Sequence, residues 1–182
     1  ADVRDYSFDA LRSKVALVLQ KSELFSGTVA ENLLWGNPEA SDAELKKAAG
    51  IAQADGFIES FNEGYDTMIA EKGASLSGGQ KQRLSIARAI LKKPEIIIFD
   101  DSMSALDLKT SARLSAALRS EMADTTVITI AQRVASVMNA DRIVVLDGGG
   151  ISAVGTHAEL LETSDVYRDI YNSQLKRGES IE

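Results

Sequence analysis

The spacing of apolar and polar positions changes several times along this chain, and each change predicts an element. Residues 14–20 read KVALVLQ, a β-branched, apolar run closed by a polar residue, which predicts a short buried strand. Thr28 and Glu31 have the spacing of a capping box, so a helix is expected to start there and to carry Val29, Leu33 and Leu34. Ser41 and Glu44 repeat that spacing ahead of Leu45, Ala48, Ala49 and Ala52, which predicts a second helix, and residues 55–61 suggest a shorter third. The clearest helix is expected over residues 80–93. Ser77 can cap it, Leu84, Ala87, Ile90 and Leu91 give it an apolar stripe, Lys92 and Lys93 suit its C-terminal dipole, and Pro94 stops it. Residues 95–101, EIIIFDD, read as a strand covered on both faces with carboxylates at its end. A helix over 106–121, buried strands over 125–130 and 142–147, a glycine turn at 148–150 into 151–154, and a mostly helical tail over 157–175 complete the pattern.

Strands alternating with helices imply an α/β fold with a mainly parallel sheet. The helices between Thr28 and Ser60 interrupt the alternation and predict a helical insertion. Composition adds limits. At 182 residues, 45% hydrophobic and 26% charged, the chain has the size and make-up of one globular domain. A net charge of -7 argues against a bulk nucleic-acid binder, which needs a basic face. With no cysteine, there is no disulfide and no thiolate metal site. No apolar run approaches the ~18–20 residues of a bilayer span, so a membrane role has to come through a partner or another segment.

Two segments carry candidate chemistry. Asp100 and Asp101 follow three isoleucines and a phenylalanine at a strand end, where ligands of parallel sheets bind. Adjacent carboxylates there need a cation, a hydrogen-bond network or a proton. They suit a magnesium ion and a polarised water, or equally the capping of a following helix. Leu76-Ser77-Gly78-Gly79-Gln80 places two glycines and a hydroxyl at a helix start. Backbone N–H groups and the dipole there favour an anion, although a glycine-containing cap alone would look similar.

The LSGGQ run continues into KQRLSIARA and then the acidic strand, and this combination resembles the ATP-binding-cassette ATPases of exporters. Leu76–Gln80 matches the family signature, residues 95–100 the Walker B strand, Ser104-Ala105-Leu106-Asp107 the D-loop, and Gln20 the Q-loop glutamine. The runs Leu24–Val29 with Glu31-Asn32, Thr67–Gly73, and Gly155-Thr156-His157 with Glu159-Leu160-Leu161 are also similar to exporter segments. The resemblance implies a P-loop NTPase-like, RecA-like sheet with an inserted helical subdomain over about residues 21–93, the core remainder being 1–20 and 94–182. It implies ATP and Mg2+ as cofactors. Gln20 and Asp100 would hold the metal, and Leu76, Ser77, Gly78, Gly79 and Gln80 would grip ATP bound to a second nucleotide-binding domain in a hetero- or homodimer. Asp107 would communicate across that dimer. Coupling helices of a transmembrane domain would be a further partner, nucleic acid would not, and the location would be the cytoplasmic face of the cell membrane.

Three departures shape the expectation. No G-x-x-x-x-G-K-[ST] phosphate loop occurs in the sequence, which implies a missing Walker A strand, loop and helix, N-terminal truncation, and little ATP binding or hydrolysis by these residues alone. Asp101 stands at the position of the family's catalytic glutamate, shorter by roughly 1.5 Å of bond length, and a misplacement of about 1 Å can cost ~100-fold in rate. Gln132 stands at the position of the switch histidine; it can donate a hydrogen bond but cannot become cationic. The parent protein is therefore expected to form a slow, degenerate site and to donate an intact signature to its partner's site. A soluble ABC ATPase outside transport, and an inert fragment donating only LSGGQ, are the alternatives. Met68 replaces an acidic residue common in such exporters at the membrane-domain contact. Phe25, Leu33, Leu34 and Trp35 are expected in the core of the helical region, although they could form a groove for a coupling helix. Lys81, Arg83 and Arg88 could face phosphate, although Lys81 and Arg88 are expected to be solvated or salt-bridged. His157 is expected to be a helix-start or packing residue, and Tyr167 and Tyr171 a packing pair.

Overall fold

A computed structural model of the chain describes residues 2–176. They divide into two compact units, Ala1–Ile130 and Ala131–Glu182. In the first unit a parallel sheet has the order β1 (Val15–Val18), β4 (Ile96–Asp100), β5 (Thr126–Ile130). Its register pairs Leu17 with Ile98 and Asp100 with Ile130, which brings the strand C-termini together. The central β4 is the best covered, with Ile97 and Phe99 fully buried. Both flanking strands correct the expectation of burial. Leu17 is 56% exposed, and Val127, Ile128 and Ile130 of β5 are 40–54% exposed. These are the edge strands, and a continuous apolar run specifies a strand without specifying how many of its faces are covered.

Four helices separate β1 from β4: α2 (Val29–Leu34), α3 (Asp42–Ile51), α4 (Asp55–Glu59) and α5 (Gly78–Leu91). The capping boxes predicted at Thr28 and Ser41 are formed in full. α5 packs against α2, α3 and β1, and buries Leu84, Ile86, Ala87, Ile90 and Leu91 in a core with Val29, Leu33, Ala49 and Ile58. Gly36 follows α2 where no side chain fits, since a Cβ there would lie 2.1 Å from the Arg88 carbonyl oxygen. A two-residue antiparallel pair, β2 (Gly27–Thr28) with β3 (Met68–Ile69), closes this region and is too short to announce itself in the pattern. The same holds for α1 (Phe8–Lys14), a two-turn helix capped by Ser7 that buries no residue. After β4, α6 (Leu108–Glu121) starts at the Asp107 cap.

The second unit has its own core. Strands β6 (Ile143–Asp147) and β7 (Gly150–Gly155) form the expected hairpin, followed by α7 (His157–Thr163) and α8 (Asp165–Lys176). Ile143, Val145, Leu160 and Tyr167 are buried together. His157 opens α7, its Nδ1 lies 2.7 Å from the Tyr167 hydroxyl, and its ring meets Tyr167 and Tyr171 edge-on. That is the packing role read from its context. No described helix is long and apolar enough to cross a membrane.

Candidate functional site

The ends of β1 and β4 converge on a small polar cluster. Gln20 lies two residues beyond β1, and its Nε2 donates to Asp101 Oδ2 at 2.9 Å. The chain pairs β1 with β4 in register, so two residues 81 apart in sequence meet at one edge. Asp100 is the last residue of β4 and is half-buried. Asp101 has a left-handed backbone with φ of 46°. Non-glycine residues hold that conformation only where the surroundings fix it. Here the Asp101 N–H donates to the Ile130 carbonyl at 2.9 Å, and the Asp101 carbonyl accepts from Ser104 Oγ at 2.7 Å.

This donor set fits magnesium. Gln20 and Asp100 offer hard oxygens, and no group of three or more His, Cys, Asp or Glu able to hold a metal occurs among the described residues. Mg2+ is typically held by one or two protein oxygens, with water and phosphate completing its shell.

The second cluster surrounds the start of α5. Ser77 caps the helix: its Oγ accepts from the Gln80 N–H at 3.3 Å, and its own N–H donates to Gln80 Oε1 at 2.9 Å. Accepting uses a lone pair, so the hydroxyl proton can still be given to an anion. Ser77 and Gly78 are exposed, and a Cβ built on Gly78 would meet nothing within 4 Å. Leu76 is half-buried against the core and anchors the turn. Gly79 approaches the D-loop, where an added Cβ would sit 3.3 Å from the Ala105 carbonyl oxygen. Asp107 follows that loop and caps α6, accepting from the Thr110 N–H at 2.9 Å and from Thr110 Oγ1 at 2.7 Å. The backbone bond from Thr110, then its hydroxyl, hold the Asp107 carboxyl below its ordinary range. The signature run thus lies against the loop that leads to Asp107.

Gln132 belongs to the second unit. It is exposed, and Gln174 of α8 fixes its backbone: Gln174 Nε2 donates to the Gln132 carbonyl at 2.8 Å and Gln174 Oε1 accepts from the Val134 N–H at 2.9 Å. Sequence reasoning did not single out Gln174, and no spacing marks it.

Two expectations about side chains change. Phe25 and Trp35 are not core residues; they are 44% and 67% exposed and stack on each other with centroids 4.7 Å apart. Leu33, by contrast, is buried as expected. The two rings border a groove of about 480 Å³ that also includes Leu17, Lys21, Arg88 and Lys92. Arg88 is only partly solvated and bonds backbone carbonyls, with no salt bridge to a carboxylate among the described residues. It is half-buried, donates to the Glu23 and Asn32 carbonyls at 3.1 and 2.8 Å, and lies 5.6 Å over the Phe25 ring. Burial lowers its pKa from the ordinary arginine value. Lys81, also half-buried, donates to the Lys72 carbonyl at 3.0 Å. Arg83 bonds the Gln53 carbonyl at 2.7 Å and sits 4.7 Å from the Phe57 ring centroid.

A parallel α/β core with an acidic strand end beside a glutamine, and an exposed Ser-Gly-Gly helix start, define a nucleotide-handling domain of the P-loop NTPase class. Residues 1–104 match the sequence family described as ABC transporter, and the chain belongs to that family. It is 45% identical over 174 residues to the uncharacterized ABC transporter ATP-binding protein YknU of Bacillus subtilis (strain 168), covering 96% of this chain and 30% of YknU. It is likewise 45% identical over 175 residues to YfiB of the same organism, with 96% and 30% covered. Among solved structures it is similar to a bacterial Atm1-family ABC exporter with ATP bound, at a TM-score of 0.91 and 37% identity over 95% of this chain and 30% of that one. The chain therefore spans about 30% of the length of the relatives it matches.

Proposed function

We propose that this chain is part of the ATP-hydrolysing machinery of an ABC-type exporter, in which ATP and Mg2+ drive two nucleotide-binding domains together and so move substrate through a membrane domain. In this reading residues 21–93 form the helical subdomain and the rest belongs to the core. The observation that carries it is the Ser77-capped start of α5, which presents Ser77 and Gly78 outward with open space above them. An anion approaching from a second subunit meets N–H groups, a hydroxyl and the positive end of a 14-residue helix. Gln20 and Asp100 would hold Mg2+ in the chain's own site. The ion would supply charge neutralisation of the phosphates, while Gln20 orients Asp101. Asp107 would touch the opposing domain.

The chain's own site is the slow one. Asp101 carries a shorter carboxylate arm than glutamate, and Gln132 cannot accept a full positive charge. The Phe25–Trp35 groove would receive a coupling helix of the membrane domain, on the cytoplasmic face of the cell membrane. The acidic charge of -7 gives no basis for a nucleic-acid partner.

The test uses the assembled transporter that contains this chain. Ser77→Arg, which fills the open space with a long side chain, is expected to stop hydrolysis at the partner's site while leaving assembly intact. Asp101→Glu with Gln132→His is expected to raise turnover at the chain's own site by about tenfold or more. Unchanged single-site hydrolysis in both variants would remove the assignment.

A further inference from the structure

The glutamine two residues past the signature has no role in the reading above. Gln82 lies on α5, is 1% exposed, and uses both ends of its amide. Its Nε2 donates to the Leu19 carbonyl at 3.2 Å, and its Oε1 accepts from Ser22 Oγ. These two contacts flank Gln20 and Lys21 on either side. We infer that Gln82 is a positioning residue for Gln20: it fixes the glutamine loop to the signature helix and so sets where the Gln20 amide points. This inference rests on the proposed reading of Gln20 as the magnesium-contacting glutamine.

The surroundings of the loop support this. The Leu19 side chain is 52% exposed, so apolar packing does not anchor that end. Gln20, Lys21 and Glu23 are exposed too, and residues 20–24 make no backbone–backbone hydrogen bond among the described residues. The Gln20 amide itself donates to Asp101, and side chains of α5 hold the two ends of the loop. Gln82 takes the start of the loop, Arg88 takes its end by donating to the Glu23 carbonyl at 3.1 Å, and Leu24 is buried at 3% exposure. A buried amide is costly unless both its ends are paired. Leu19 and Ser22 therefore satisfy Gln82 in one placement of the loop, and a slip of either leaves a polar group unpaired in the core. The consequence is mechanical: the helix that begins at the signature carries the loop bearing Gln20 with it.

Limited trypsin digestion of the chain, read by peptide mass, tests this directly. Lys21 sits inside the bracket, and Arg119 on α6 serves as the internal reference for general unfolding. Gln82→Met removes the amide at similar volume, and Ser22→Ala removes one of its two partners from the loop side. Cleavage after Lys21, relative to cleavage after Arg119, should rise about tenfold in Gln82→Met and by a smaller factor in Ser22→Ala. An unchanged ratio in both variants overturns the inference, as does equal acceleration at both sites in Gln82→Met together with a silent Ser22→Ala. In the assembled transporter, Gln82→Met and Gln20→Ala should each raise the magnesium concentration needed for half-maximal hydrolysis. If Gln20→Ala leaves that concentration unchanged, the reading of Gln20 fails while the digestion ratio still decides the bracket.

Discussion

Gln80 shows how much one atom can matter at the start of α5. It closes a capping box with Ser77, taking the third helical position. At the corresponding positions of α2, α3 and α7 the chain uses Glu31, Glu44 and Glu159. A carboxylate caps at least as well as an amide and suits the helix dipole. The neutral side chain appears at the one box where a phosphate is proposed to arrive. A negative charge in that first turn would oppose the incoming anion over a few ångströms, at a surface where salt screens but does not abolish the effect. Gln80→Glu is therefore expected to keep the helix content, read by far-ultraviolet circular dichroism, and to lower hydrolysis at the partner's site by about tenfold. The deficit should shrink as ionic strength rises. Full activity at low salt would show that the amide is there for capping alone. Asp101 carries a different kind of information. Its left-handed backbone is held by Ile130 and Ser104, so replacing it tests the length of the side chain against a fixed starting point.

At the scale of elements, the capping box of α3 also acts as an acid-sensitive joint. Glu44 accepts from Lys93, then from the Ser41 backbone and hydroxyl, and these contacts hold its carboxyl down to about 2 from an ordinary 4.5. A carboxyl lowered on folding stabilises the folded chain above its unfolded pKa, and that contribution disappears as pH falls through the folded one. The contribution of Glu44 is thus present above about pH 4.5 and lost progressively toward pH 2. Glu44→Gln is expected to flatten this part of the stability–pH curve, measured by urea melts at a series of pH values, with little change in slope above pH 5. An unaltered acid limb would assign the loss to other carboxylates. The boxes at Thr28 and Ser41 were legible in the sequence because both partners lie three residues apart, within one local pattern. Gln82, Arg88 and Gln174 were not legible for the complementary reason. Their acceptors are backbone carbonyls 42 to 65 residues away, which no spacing rule encodes. The one available hint was a glutamine on the core side of α5, four residues before buried Ile86. Phe25 and Trp35 misled in the other direction, since aromatic residues among buried neighbours look like core until the fold shows which face they occupy.

For the whole molecule, periodicity gave the order of strands and helices, whereas coverage of the sheet depends on three-dimensional neighbours. β5 reads TVITI, β-branched throughout, yet is exposed along most of its length, which is why its residue types alone overstated its burial. The division into units is likewise a matter of which side chains share a core. Buried Phe99, Leu84 and Ile58 belong to one cluster, and Ile143, Leu160 and Tyr167 to another. Separate cores lead us to expect separate responses to a cavity. Leu160 is 1% exposed, so Leu160→Ala should destabilise its own unit by roughly 2–5 kcal/mol. The single tryptophan, Trp35, reports the other unit, where it stacks on Phe25. Tyr167 and Tyr171 report the unit that carries the mutation, through their contact with His157. Thermal melts followed by tryptophan emission and by the ring-proton NMR signals of Tyr167 and Tyr171, which separate them from Tyr6 and Tyr65 of the first unit, should then diverge in Leu160→Ala, the midpoint from Tyr167 and Tyr171 falling while the Trp35 midpoint stays. If both midpoints fall together, the two cores unfold as one cooperative body, and the second unit contributes directly to the stability of the strand ends that carry Asp100 and Asp101.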